Sequence, residues 1–481
     1  KNLIYYINKN PTISDIKNAL YDLVHNRNKL AKYNKNSNKI IERYHSPDFV
    51  LSQYKKLPHL IENKIKTYIY PFSEFFQNYK KVNLATQFQI SHDIQNNFSN
   101  KLISKPTIYI CATDSLTNGL HTGIERVVFE IFNNLVFYQN EFKIELIFQN
   151  ISGEFNYADQ YLNDIGIFKD FTHRGKVEYF TDKDVILLMD NSLLTAECAN
   201  SLNKEYLNGV KIISLMYDLL PITKPEYFPT NTNITIENNI NVNINFNAHI
   251  FISSYTKKAY KNYCKNKFSK FSTKNLKVIR LGSDLDLADR IIDKDKFYYK
   301  NNHPILLSVS TIEPRKGYDF LINECHKLWS SGLCFNLVIV GKEGWKNVAS
   351  NERISIVKII KLINSSVYLN KFLFWESDFN DKELAGLYSK CDALIMPSYA
   401  EGFGLPIIEG INFDKKIFAR NISVFKEFSQ PGIVYFDNKT FSSVISKFIK
   451  KKDKFLVTYK TKYRWKKVAL NILRFVKNLN G

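Results

Sequence analysis

From Pro106 onward the chain writes one pattern twice: short β-branched apolar runs, bounded by polar residues, alternate with stretches of helical spacing. The first series reads KPTIYICAT, TGIERVVFEIFNNL, KIELIFQ, DVILLMD, KIISLMYD and AHIFISS. The second begins with PILLSVST and continues through YDFLINECHKLW, FNLVIVG, a helix near 351–364, FLFWES, DKELAGLYSKC, DALIMPS and LPIIEGINF. Strands that are apolar on both sides are buried on both faces, as parallel strands are, and the helices between them supply the cover. Two such series joined near 285–303 predict an α/β chain with two facing, doubly wound, Rossmann-like domains, over 106–290 and 291–450. The length of 481 residues fits two or three domains. Residues 1–105 read differently. There PTISDIKNALYDLVHNRNKL places apolar residues at 16, 20, 23, 24 and 30, so a mainly helical extension, or the tail of a preceding module, is expected.

Ligands of open parallel sheets lie beyond the carboxyl ends of the strands, which makes the residues just after each run the candidates for function. In PSYAEGFGLPIIEG (397–410), DALIMPS is the strand, AEGFG the turn and Leu405-Pro406 the start of a helix. A helix N-terminus presents unpaired N–H groups and a partial positive charge, a ready site for phosphate, and Gly402 and Gly404 let the backbone approach it. Glu401 and Glu409 are poor neighbours for phosphate. Ionised carboxylates only accept hydrogen bonds, and sugar hydroxyls donate them. A nucleotide sugar therefore suits the amides and the glutamates together, whereas a plain strand–turn–helix corner would leave both glutamates solvated. After PILLSVST, Arg315 and Lys316 can hold a diphosphate and stabilise it as a leaving group, or form a solvated basic turn. In the first series NGLHTGIERVV puts Gly119 and Gly123 in the first strand–helix turn, with His121 beside them and Arg126 one turn into the helix. Asp218 ends the strand MYD, as a site residue or only as a helix cap.

Composition narrows the partners. The formal charge is +21, from 67 Lys and Arg against 46 Asp and Glu. Such an excess favours phosphate-bearing partners, although an AT-rich coding sequence would also write Lys wherever the surface tolerates it. The mixed Lys–aromatic stretches 257–277 and 447–467 suit an anionic membrane surface as well as a solvated helix face, and no recognised nucleic-acid module is present. Six scattered cysteines show neither metal spacing nor the density of a secreted scaffold. With no signal-peptide pattern at Lys1 and no apolar run near the length of a membrane span, a cytoplasmic location is expected, peripheral on the membrane's inner face if the basic stretches bind it. A chain beginning with Lys1 fits a processed protein or a piece of a longer one. Asp284–Leu285–Asp286 has the form of a metal-binding carboxylate pair but sits at the inter-domain connection, and we assign it no metal.

These motifs together resemble glycosyltransferase family 4, the large retaining family with the GT-B fold, over roughly Pro106 to the C-terminus. The resemblance rests on EGFGLPIIE, STIEPRKGYDFLI, LVIVGKEGW, DKELAGLYSKCDALIMPS and RNISVFKEF. TGIERVV and YDLLPITKPEYF are similar to a subgroup that builds bacterial surface polysaccharide (O-antigen or capsule), often as mannosyl- or rhamnosyltransferases. RWKKVALNILRFV resembles the family's closing helix, which implies that 451–481 crosses back to the first domain. The resemblance implies a nucleoside-diphosphate sugar as donor, a saccharide or lipid-linked saccharide as acceptor, and no metal or other cofactor. It also implies same-face attack without a covalent enzyme intermediate. Glu409 would hold the ribose, Glu401 the donor sugar, the backbone of Gly402, Phe403, Gly404 and Leu405 the sugar and phosphate oxygens, and Lys316 with Arg315 the diphosphate. Gly341 would join this donor side and the segment 374–378 would lie near the base. Asp218 would belong to the catalytic group, and Gly123, Arg126 and His121 to the acceptor side.

Three departures from the family pattern stand out. Tyr217 replaces the usual His before Asp218, Thr311 replaces an Arg five residues before Lys316, and NFDKK replaces a small Gly-containing loop. Rival readings are another GT-B enzyme, such as a nucleotide-sugar epimerase or a phosphorylase, and a catalytically silent scaffold. A phosphorylase needs a pyridoxal lysine site that is not visible, an epimerase would not be expected to carry EGFGLPIIE, and intact Glu401, Glu409 and Lys316 argue against silence.

Overall fold

The structure, a computed structural model, describes residues 105–480 apart from 118–122, 139–140, 160–173, 191–194, 270, 288–301, 347 and 451–456. The expected extension over 1–105 thus lies outside the described residues, save Lys105, as do Gly119 and His121. The described strands form two sheets. The first contains β1 (Thr107–Cys111), β2 (Lys143–Gln149), β3 (Phe155–Tyr157), β4 (Val185–Leu188), β5 (Lys211–Met216), β6 (Ala248–Phe251) and β7 (Leu276–Val278), in the order β3-β2-β1-β4-β5-β6-β7. Among these described strands only β3 runs antiparallel, at the edge beside β2. The second contains β8 (Ile305–Val309), β9 (Asn336–Val340), β10 (Leu373–Glu376), β11 (Ala393–Met396), β12 (Lys416–Arg420) and β13 (Ile433–Phe436), all parallel, in the order β10-β9-β8-β11-β12-β13. The order reverses between β1 and β4 and between β8 and β11. These two switch points are where such sheets open a crevice for ligand.

The helices named below are α1 (Thr113–Thr117), α2 (Gly123–Val136), α3 (Ala196–Leu207), α4 (Leu220–Thr223), α5 (Thr232–Asn243), α6 (Ser254–Lys267), α7 (Tyr318–Ser330), α8 (Ile354–Asn364), α9 (Asp381–Lys390), α10 (Leu405–Asn412), α11 (Phe441–Lys450) and α12 (Trp465–Asn480). In α2 the buried stripe is Val127, Val128, Ile131, Phe132 and Leu135, while Ile124, which the spacing counts as apolar, is 41% exposed at the first turn. The inward-facing row recurs at three- and four-residue steps and begins at Val127. That row packs on α12, whose Val468, Ile472 and Val476 complete one apolar cluster that also takes in α10 through Ile407, Ile408 and Ile411. The closing helix therefore ties the first sheet's α2 to the helix that follows the glycine-rich turn.

Two chain crossings join the sheets, and Asn412 at the end of α10 hooks both. Its amide donates to Ser283 O at 2.7 Å and to Tyr463 O at 2.8 Å, and its carbonyl accepts from Tyr463 N at 3.0 Å. The NFDKK segment is built into the same joint. Asp414 adopts φ 56°, the left-handed conformation a glycine would take most easily, and accepts from Tyr459 N at 3.0 Å. Lys415 Nζ donates to Ser389 O and Cys391 O, both at 2.8 Å. Asp286 accepts from Arg464 Nη2 at 2.7 Å and Asp284 pairs with Arg464 at 3.5 Å, so the carboxylates of Asp284–Leu285–Asp286 clamp one crossing to the other.

Candidate active site

The turn first singled out sits at the switch point of the second sheet. β11 ends at Met396, and the chain then bends through Glu401 and Gly402 into α10, with Gly404 (φ 114°) as N-cap, Leu405 the first helical residue and Pro406 the second. A proline there forfeits no helical hydrogen bond, because the first N–H groups of a helix have no partner in it. Such N–H groups can receive an anion. From the neighbouring β8, Pro314–Lys316 forms a short 3-10 turn that brings two cations to the same crevice.

Glu401 is 7% exposed and is held from three sides. Lys316 Nζ donates to Oε1 at 2.6 Å, Ser398 Oγ to Oε1 at 3.0 Å, and Arg315 Nη1 to Oε2 at 2.9 Å. Arg315 also pairs through Nε with Glu313 at 2.9 Å. Burial alone would raise the Glu401 carboxyl, but Lys316 and Arg315 outweigh it and hold the group below its ordinary value. The two cations expected at the diphosphate thus rest on the carboxylate expected at the sugar. Asp218, after β5 of the first sheet, faces this group. Burial raises its carboxyl, and Arg315 partly offsets the rise.

Glu409, one turn from the end of α10, is 3% exposed. The Tyr388 hydroxyl of α9 donates to its Oε2 at 2.7 Å, and Arg126 Nη1 of α2 donates to Oε1 at 3.3 Å. Burial raises its carboxyl, while Arg126 and the Tyr388 hydroxyl draw it back. The second Arg126 nitrogen reaches Asp381 Oδ2 at 3.4 Å, where Asp381 opens α9 behind a capping box made by Asn380 and Glu383. A residue expected on the acceptor side therefore contacts the carboxylate expected at the ribose.

The carboxyl ends of the two sheets meet at Gly402. A Cβ there would lie 2.5 Å from Tyr217 O and 2.8 Å from Asp218 Cβ, closer than real side chains come, so only glycine lets the turn approach the end of β5. Thr256 Oγ1 of α6 bridges the same gap, 3.2 Å from Tyr217 O and 3.4 Å from Gly402 O. Gly123 lies beside Leu405: a Cβ added at this glycine would sit 3.9 Å from Leu405 Cδ1, in ordinary contact. Further out, the Tyr227 and Tyr399 rings stack at 6.1 Å, and Thr230 Oγ1 donates to Glu352 Oε1 at 2.6 Å. Phe403 is buried against Phe428, edge to face at 5.0 Å, so its ring serves packing while its backbone lines the turn. Gly341 follows β9, its carbonyl accepting from Trp375 Nε1 at 2.9 Å.

The structure thus gathers Glu401, Lys316, Arg315, Asp218 and Gly402 at one crevice and links Glu409 with Arg126 on the adjoining helix. Sequence reasoning missed Tyr388, Asp381, Ser398 and Thr256. Ser398 stands three residues before Glu401 in the same turn and could have been noticed. Tyr388 and Thr256 reach the site from separate helices, and no local pattern marks them.

Residues 289–469 match the family described as Glycosyl transferases group 1. The chain aligns with the serotype-specific mannosyltransferase WbdA of Escherichia coli at 39% identity over 141 residues, 29% of this chain and 16% of that protein. A longer alignment to a protein of that name is 27% identical over 343 residues, 66% of this chain and 39% of the relative. The O-antigen chain mannosyltransferase RfbU of Salmonella typhimurium is 30% identical over 202 residues, 41% of this chain and 50% of RfbU. The chain spans half or less of the length of these relatives. Among solved structures, a sucrose-phosphate synthase from Thermosynechococcus elongatus superposes with a TM-score of 0.56 at 13% identity, covering 78% of this chain and 99% of that one. A glycosyltransferase from Rickettsia africae gives 0.53 at 17%, with the same coverage. The two sheets are those of the GT-B fold.

Proposed function

We propose that this chain, whose residues 289–469 carry a glycosyl transferases group 1 domain, moves a sugar from a nucleoside-diphosphate donor to a saccharide acceptor with retention at the anomeric carbon. The observation that carries the reading is the exchange built into Glu401. Lys316 and Arg315 both pair with this buried carboxylate. A diphosphate arriving at the N-terminus of α10 draws the two cations toward itself, and hydroxyls of the donor sugar replace them on Glu401. Further along α10, Glu409 accepts from the ribose hydroxyls.

The bond from the anomeric carbon to the diphosphate oxygen then breaks, and one from the same carbon to the acceptor oxygen forms on the same face. The acceptor's proton leaves with the diphosphate. Lys316, Arg315 and the N–H groups of the turn stabilise the negative charge that develops on the leaving group. Asp218 lies where the first sheet meets this crevice and orients the acceptor. The names of the mannosyltransferase relatives support a mannosyl donor and an O-antigen chain as acceptor. No helix among the described residues is long and apolar enough to cross a membrane. The basic Lys–aromatic stretches 257–277 and 447–467 suit an anionic surface at which a lipid-linked acceptor is met.

A thermal-shift panel of GDP, UDP, dTDP and ADP tests the donor reading. A ligand that binds only the native state raises apparent stability by RT ln(1 + [L]/Kd), about 2.7 kcal/mol at a hundredfold excess over Kd. At least one diphosphate is expected to raise Tm by several degrees, and GDP is expected to lead if the donor is mannosyl. A flat response to all four contradicts the reading.

A further inference from the structure

Two helices that follow strands of different sheets run side by side at the donor turn. Gly123, which opens α2, lies beside Leu405, which opens α10. One turn further on, Arg126 of α2 meets Glu409 of α10, Nη1 donating to Oε1 at 3.3 Å. Both helices belong to one apolar cluster, through Val127 and Val128 on α2 and Ile407, Ile408 and Ile411 on α10. The second Arg126 nitrogen donates to Asp381 Oδ2 at 3.4 Å, at the start of α9. The Glu409 side chain is 4% exposed and that of Asp381 64%. One guanidinium thus spans a buried carboxylate and a solvated one.

The surroundings of Glu409 make that contact matter. Tyr388 donates to Oε2 at 2.7 Å, but a neutral hydroxyl brings no charge. Burial raises the Glu409 carboxyl, Arg126 opposes the rise ahead of the Tyr388 hydroxyl, and Asp381 adds to it. Glu130, one turn beyond Arg126 on α2, competes for the same cation. Burial pushes its carboxyl up to about 7, against the pull of Arg126 and with the help of Asp284 and Asp381. Without the guanidinium, Glu409 would be a buried carboxylate beside a neutral donor, a setting in which such a group takes up a proton. A protonated carboxyl is a poorer acceptor for ribose hydroxyls.

The geometry points to Arg126 as a positioning residue of the donor site, one that keeps the Glu409 carboxylate charged and held in place for the ribose. The inference rests on the glycosyltransferase reading above and deepens it. One turn into α2, Arg126 reads in the sequence as an acceptor-side residue, whereas its contacts are with the donor side. A helix of the first sheet thereby completes the nucleotide site of the second, and it acts through Glu409 rather than on the ligand.

The test is donor affinity by calorimetry on the full chain, from about pH 5 to about pH 9, a range that brackets a raised carboxyl. GDP-mannose, UDP-glucose, dTDP-glucose and ADP-glucose are titrated, and the tightest binder is used. The diphosphate of a sugar conjugate keeps its charge across this range, so the ligand adds no titration of its own. Arg126→Met is expected to weaken binding roughly three- to tenfold near neutrality and to move the acid weakening to higher pH. At the alkaline end its affinity approaches the parent's. Arg126→Lys, which restores a charge, brings the profile back toward the parent's. In a Glu409→Gln background, where position 409 does not titrate, Arg126→Met costs little, because the two residues act as a unit. Melting curves separate lost folding from lost affinity, and Arg126→Gln serves if Arg126→Met does not fold. A profile that matches the parent's, or one lowered equally at every pH, overturns the inference. So does an equal loss in the Glu409→Gln background. In each of these cases a parent that binds its sugar conjugate leaves the glycosyltransferase reading standing, while a parent that binds none of the four contradicts both.

Discussion

Lys316→Ala is expected to slow sugar transfer by about two to three orders of magnitude, the usual loss when one charge-stabilising donor is removed from a developing anion. Nucleotide affinity should change far less, because Arg315 and the helix N-terminus still hold the diphosphate in its ground state. The loss therefore belongs to kcat. The substitution also deprives Glu401 of its 2.6 Å partner. Breaking a buried ion pair can cost about 3–5 kcal/mol of stability, but Arg315, 2.9 Å from the other oxygen, remains to neutralise the carboxylate. A melting curve beside the kinetics separates the two effects. A folded variant whose turnover stays within about twofold of the parent ends the assignment of Lys316.

The second large effect is expected at Glu409. Glu409→Ala removes the carboxylate proposed for the ribose, and hydrogen bonds to a charged group contribute about 1.5–3 kcal/mol each. Diphosphate affinity measured by calorimetry should fall about tenfold to a hundredfold. The site is prepared in a particular way: Tyr388 and Arg126 already occupy one oxygen each. Each carboxylate oxygen can accept a second hydrogen bond, so ribose hydroxyls can join Tyr388 and Arg126 on Glu409. Because burial raises the Glu409 carboxyl, acidification protonates it sooner than an ordinary glutamate, and a protonated carboxyl is a poorer acceptor. Diphosphate affinity should therefore weaken on acidification at a higher pH than an ordinary glutamate would set. Glu409→Gln should flatten that dependence. Undiminished affinity in Glu409→Ala places the ribose elsewhere.

The expected strands that alternate with helices all form, because continuous apolar runs bounded by polar residues have few other ways to bury both faces. Antiparallel β3, three residues with only Phe155 buried, left no such trace. β12 and β13 were also not anticipated, since KIFAR is short with charged ends and IVYF is only 4 residues long. The donor-side cluster was legible because its members are local: Glu401 and Glu409 flank one turn, and Arg315 with Lys316 follows one strand. What could not be read was pairing across the fold. Arg126 meets Glu409 over 283 positions of sequence, and Asn412 reaches two crossings at once.

A crystal of the chain soaked with the nucleoside-diphosphate sugar that stabilises it tests the central claim most directly. The diphosphate should lie against the amides of Gly402 to Leu405 and Lys316, with the ribose on Glu409 and the sugar on Glu401. A nucleotide bound at another crevice, with Lys316 still paired to Glu401, would contradict the account.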